Sequence, residues 1–135
     1  MRVLYEWLKD YQRLEEEISY LEFKLDDTKR ELKRWVEGDL QNVKLQHDSL
    51  GAKVEENIEK IETELKEKKE QREKLIELVK KFKGLENKIL VMKYIEGMKL
   101  EAIAEKLNYS ASHIYKKHTE IIKRIKFADE MNTSH

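Results

Sequence analysis

A seven-residue repeat governs the first part of this chain. Leu4, Tyr11, Ile18, Leu25 and Leu32 recur at intervals of seven, and Trp7, Leu14, Leu21, Thr28 and Trp35 follow each of them by three. Nine of these ten positions are apolar or aromatic, and the residues between them are mostly Glu, Asp, Lys and Arg. Alternating steps of three and four place such side chains along one stripe of an α-helix, which is the pattern of a coiled-coil seam. At helical rise, residues 4–35 extend roughly 48 Å. The stripe must be covered by another helix, from the same chain or from a second copy.

Composition leaves few alternatives to helices. The 135 residues include no proline and only four glycines, which excludes loop-rich and all-β folds that need those residues for turns. The absence of cysteine removes disulfides, thiolate metal sites and cysteine nucleophiles. No apolar run approaches the roughly 18 residues of a membrane span. The start, Met1 to Trp7, meets an acidic residue at once and lacks a signal-peptide core. The expectation is an all-α, cytoplasmic protein without membrane contact.

The glycines mark the joints. Glycine is favoured just past a helix end, so Gly38, Gly51, Gly84 and Gly97 divide the chain into helices near 3–36, 53–83, 86–96 and a group after 98. Residues 38–52 have no clear period and read as an irregular connector. In the second segment Ile58, Leu65 and Val79 form one apolar row, interrupted by Arg72. Val54, Ile61, Leu75 and Phe82 form another, interrupted by Lys68. Two seams joined in this way fold as an antiparallel hairpin or pair with another chain, and the break at Lys68 and Arg72 reads first as a solvated bundle middle and, more sharply, as a register device pairing with Glu15–Glu17 across an antiparallel seam.

Residues 1–83 are therefore expected to be a coiled-coil and oligomerisation region. Its seam is Leu4, Trp7, Tyr11, Leu14, Ile18, Leu21, Leu25, Leu32, Trp35, Ile58, Ile61 and Leu65. The many carboxylates are spaced as a solvated surface. Neither Glu-x-x-His nor His-Glu-x-x-His occurs, and His47 stands alone. No catalytic residue, cofactor or metal is expected.

After Gly84 the period changes from heptad to globular. Leu85, Ile89, Leu90, Met92 and Ile95 give one short helix its apolar side; Leu100, Ile103, Ala104 and Leu107 give a second. Asn108-Tyr109 interrupts, and Ser110 is a favourable N-cap for a third helix that buries Ile114, Ile121 and Ile125. Formal net charge is zero, yet Ser110–Lys126 carries five basic residues against one acid, Glu120. Phosphate neutralisation depends on local charge, so the average excludes nothing. A short helix, a break and a longer basic helix make a helix-turn-helix, expected within a domain spanning 84–135.

The stretch Leu90 to Ser110 carries the frame Tyr-x-Glu-Gly-x-x-Leu-x-x-Ile-Ala-x-x-Leu-x-x-Ser. Over roughly residues 85–126 the chain resembles region 4 of sigma-70-type factors. The layout of a charged coiled coil followed by this module is similar to phage-encoded regulators of the ArpU/RinA type. The resemblance implies transcriptional control, often late-gene activation, in a phage or prophage setting, with double-stranded DNA and bacterial RNA polymerase as partners. One departure matters: Ala111, Ser112 and His113 stand where the family begins its recognition helix with Arg and Glu. The family's promoter element is therefore not carried over.

With Ile114, Ile121 and Ile125 buried, a 100° step per residue places Ser112, Lys116, Thr119 and Lys123 on the opposite face. Ser112, His113 and Lys116, in the first turns, are the candidates for base edges. Lys99, Ser110, Tyr115, Lys117, Lys123, Arg124 and Lys126 are the candidates for the DNA backbone. His113 and His118, five apart, fall on different faces and do not suggest a shared metal. A single such module reads few base pairs, so a homodimer or higher homo-oligomer on spaced half-sites is expected. The competing reading is a polymerase-binding adaptor or phage protein–protein interaction module, with a small-terminase-like packaging component behind it.

Overall fold

The structure, a computed structural model, describes residues 3–37 and 47–133. They form six α-helices with no strand among them, so the chain is an all-α protein. In order these are α1 (Val3–Lys9), α2 (Tyr11–Val36), α3 (His47–Lys81), α4 (Gly84–Leu90), α5 (Leu100–Leu107) and α6 (Ala111–Thr133). α4 runs directly into a π-helical turn, Val91–Ile95. No helix among the described residues is long and apolar enough to cross a membrane.

The chain divides into two compact units, Glu16–Glu70 and Met1–Glu15 with Gln71–His135. The expected division at 83/84 does not coincide with this boundary. The reason is local: Leu8, Tyr11, Leu14, Leu75, Leu78 and Val79 are buried in the same unit as the C-terminal helices.

In the 16–70 unit, α2 and α3 run antiparallel. Glu17 Oε2 lies 2.8 Å from Lys68 Nζ at one end, and Trp35 packs with Val54 and Ile58 at the other, joined by Leu25 and Leu32. Ile18, Leu21, Ile61 and Leu65 are buried between. The buried Thr28 donates its hydroxyl to the Lys24 carbonyl at 2.7 Å, so a polar residue at a seam position leaves no orphan group. The seam residues expected to join two chains are thus largely covered within one.

Two boundaries depart from the glycine reading. The heptad suggested one helix over 3–36, yet the ladder breaks at Asp10, whose N–H is shared between the Glu6 and Trp7 carbonyls at 3.3 and 3.1 Å. Aspartate is a poor interior residue and a good cap, and its carbonyl accepts the first bond of α2 from Leu14 N–H. The break also turns Leu8, which is off the heptad, fully inward. At the connector, α3 already begins at His47 and runs through Gly51, so residues 47–52 are helical; an interior glycine costs about 1 kcal/mol against alanine, which the long helix absorbs. The remainder of the connector, 38–46, lies outside the described residues.

The other unit is knit by polar bonds between distant segments. Asp129, 3% exposed, accepts the Leu4 and Tyr5 backbone N–H groups at 3.3 and 3.1 Å, so a carboxylate from α6 satisfies the open N-terminus of α1. Gln12 Nε2 donates to the Tyr94 carbonyl at 3.1 Å and also to that of Ile95, covering the end of the π-helical turn. Gly97 follows with φ +78, and a Cβ there would meet the Gln12 side chain at 3.6 Å. Asn87 Nδ2 donates to the Val79 carbonyl at 2.9 Å, closing the end of α3. Ile89, Leu90, Ile103, Ala104, Ile114, Ile121, Ile122 and Ile125 fill the core between α4, α5 and α6.

Candidate nucleic-acid interface

The break between α5 and α6 is built from two local devices. Asn108 adopts the left-handed conformation, φ 60 and ψ 40, one of the few non-glycine residues suited to it. Its N–H reaches the Glu105 carbonyl at 3.3 Å and the Tyr109 N–H reaches that of Ala104 at 2.9 Å, the paired bonds of a Schellman ending. One residue later Ser110 caps α6: its Oγ accepts the His113 N–H at 3.1 Å, and its carbonyl accepts the Ile114 N–H at 3.2 Å. The interruption at Asn108-Tyr109 and the Ser110 cap are those expected from the sequence; the left-handed Asn108 with its paired bonds is the form the interruption takes.

α6 buries Ile114, Ile121 and Ile125, each at most 1% exposed, and Ile122 beside them. The opposite side presents Ser112, Tyr115, Lys116, Thr119, Glu120 and Lys123, which line a shallow open groove along the helix. Ser112, Lys116, Thr119 and Lys123 therefore share one exposed face. Of these, Thr119 donates its hydroxyl to the Tyr115 carbonyl at 2.9 Å.

The basic residues fall into two groups. Lys116 and Lys123 are exposed and, among the described residues, have no carboxylate partner; Lys99 is likewise exposed at the start of α5. The others are engaged within the fold. Arg124 pairs with Glu86 and stacks 5.1 Å from the Phe82 ring centroid. Lys126 sits 4.8 Å above the Tyr5 ring, and Lys117 lies 3.9 Å from Glu120. Sequence periodicity placed all six on α6 and α5 alike; the fold separates Arg124 and Lys126 from the rest, because their partners come from α1, the end of α3 and α4, whereas Lys117 has its partner on α6 itself.

Tyr115 donates its hydroxyl to Glu101, tying α6 to α5. That bond, followed by the Glu101 backbone N–H and the charges of Lys99 and Lys93, holds the Glu101 carboxyl below its ordinary range, and the same bond pushes the Tyr115 phenol up. Nothing in the sequence signals this pair, fourteen residues apart. His113 is exposed and stacks on Tyr109, with centroids 5.0 Å apart and planes at 16°. His118 points the other way: it is half-buried, 5.8 Å from the Tyr94 ring, and its Nε2 lies 2.7 Å from the Tyr94 hydroxyl oxygen in a hydrogen bond. Burial first, and then the Lys93 charge, lower its pKa to about 4, which keeps the ring neutral. Burial and the neighbouring Tyr5 push the Tyr94 phenol up.

Fold and surface together define an all-α protein with exposed lysines along one face of α6. The chain belongs to the family described as Protein of unknown function (DUF1492), whose model matches residues 43–126, more than half the chain. Searches of curated proteins and of solved structures found no match.

Proposed function

We propose that this protein is a sequence-specific DNA-binding transcriptional regulator in which α5, the Asn108–Ser110 break and α6 act as a helix-turn-helix. The observation that carries the reading is the single face of Ser112, Lys116, Thr119 and Lys123, with both lysines free of internal ion pairs. An unpaired lysine releases counterions when it meets a phosphate, without first breaking a bond in the protein. Ser112 and Lys116, in the first turns, would meet base edges, and Lys123 and Lys99 the flanking phosphates. Arg124 and Lys126 have partners to lose and contribute less. The resemblance of residues 85–126 to sigma-70 region 4 extends the reading to transcription, in a phage or prophage setting. Two copies on spaced half-sites would use surface outside the largely covered seam.

Selection of bound duplexes from random DNA at moderate salt tests the reading. An enriched motif, with affinity falling linearly in log salt, is the expected result. Lys116→Ala and Lys123→Ala should each lower the salt slope by about 1. Absence of duplex binding at low salt overturns the proposal.

One observation favours a second reading, a protein-binding adaptor. Tyr20 and Phe23 are 60% and 67% exposed and three apart on α2, an arrangement suited to a protein partner such as RNA polymerase. Polymerase retention that survives Lys116→Ala/Lys123→Ala in the absence of DNA binding would favour it.

A further inference from the structure

We propose that Tyr109 is a positioning residue for base recognition: its ring holds the His113 imidazole as a reader of a guanine edge, an inference that rests on the DNA-binding reading above. Tyr109 is pinned from both sides. Its N–H closes the end of α5 on the Ala104 carbonyl at 2.9 Å, and the next residue, Ser110, caps α6 by accepting the His113 N–H at 3.1 Å. The ring that leaves this fixed backbone lies against His113 at 5.0 Å and 16°.

The stack has no structural duty in the core. Tyr109 is 46% exposed and His113 is exposed, so the contact covers little apolar surface while restricting two side chains. The Tyr94–His118 pair in the same unit is the contrast: there Tyr94 is buried, His118 is half-buried, and the phenol oxygen lies 2.7 Å from the imidazole Nε2. At Tyr109–His113 the contact is through the ring faces, so the imidazole N–H, which lies in the ring plane, is not taken up by it. A base edge is also read in its own plane. A lone in-plane donor at the third position of α6 suits guanine, whose major-groove edge offers two adjacent acceptors, N7 and O6; adenine sets an amino donor beside its N7. Holding the ring in one rotamer reduces the ordering cost of the contact at the moment of binding.

The test is selection from random duplexes with the full chain and three variants, Tyr109→Phe, Tyr109→Ala and His113→Ala, each checked for an unchanged melting transition. The wild type should enrich a motif containing guanine at one position. His113→Ala should reduce that preference about 5- to 10-fold at that position alone, the scale of one lost hydrogen bond to a base. Tyr109→Ala should lose the same position while keeping the wild-type salt slope, and Tyr109→Phe, which retains the ring, should restore it. If Tyr109→Ala keeps the wild-type preference, or His113→Ala changes nothing, the positioning role is overturned even though DNA is bound. If the wild type binds no duplex at all, the DNA-binding reading itself fails.

Discussion

The 16–70 unit and the unit built from 1–15 with 71–135 are made of the same kind of helix but held by different means. The first is periodic. Leu25, Leu32, Trp35, Val54 and Ile58 meet along one stripe, and its charged pairs, such as Lys68–Glu17 and Arg30–Asp26, decorate the edge. The second contains short helical segments whose open ends are closed by side chains from far away in sequence: Asp129 on α1 and Gln12 on the π-helical turn. A long helix has few ends per residue and satisfies its backbone internally. Short helices have many ends, and buried ends require specific polar partners. Regularity tolerates substitution; end-closure does not.

That contrast can be broken most severely in the C-terminal core. Ile121→Ala removes a fully buried side chain and should destabilise its unit by about 3 kcal/mol. Hydrogen exchange should then rise across α4 to α6 while amides in residues 20–34 and 55–66 keep their protection. Equal loss of protection in both regions would show a single cooperative unit instead.

Asp129→Ala comes next. Two N–H groups at the start of α1 lose a buried charged acceptor, at a cost of about 2–3 kcal/mol. Chemical denaturation should register it, with Asp129→Asn milder because its amide oxygen still accepts. No difference between the two variants would mean that charge plays no part.

Acid provides a graded version. The His118 ring resists protonation down to about pH 4 in the fold, whereas an unfolded histidine takes up its proton near pH 6.5. Between those values the unfolded chain binds more protons, so stability contributed by the neutral ring is lost as pH falls from about 6.5 to about 4. For a half-buried group the loss should be about 1–2 kcal/mol, reduced by solvent screening. His118→Gln should remove this component from the pH dependence of melting, leaving the carboxylate contribution in place.

The smallest effect belongs to the regular unit. Lys68→Ala should cost less than about 1 kcal/mol and should lose most of that at high salt, as expected of a partly exposed pair. A larger, salt-independent loss would mean that this charge pair fixes register rather than decorating the edge.

What could be read from the sequence follows the same division. Tyr11, Leu14, Ile18 and Leu21 are buried as the heptad requires, and of the two readings of Lys68 and Arg72 the pairing with Glu15–Glu17 is present, with Arg72 Nη1 3.0 Å from Glu15 Oε1. Periodicity is a local signal that one helix face carries by itself. The break at Asn108-Tyr109 and the cap at Ser110 were equally legible, whereas the left-handed turn of Asn108 was not. Asp129 and Gln12 were not: each looks like one more solvent-facing polar residue until the fold brings a helix end to it. Leu8 escaped because a helical repeat presumes continuity, and the break at Asp10 changes the phase. On α6 the exposed face was readable from three isoleucines. Which lysines remain unpaired on it was not, because Glu86 and Tyr5 lie outside the segment.

The bond between Asp129 and the amides of Leu4 and Tyr5 also imposes an order in time. Residues 4 and 5 are synthesised before their partner, which follows 125 residues later. At translation rates of about 5–20 residues per second, α1 waits roughly 6–25 seconds for the carboxylate that closes it. The antiparallel pair of the 16–70 unit can form meanwhile, from sequence already complete. Until α6 arrives, the N–H groups of Leu4 and Tyr5 lack this carboxylate, so the end of α1 is closed only once the chain through residue 129 has been made.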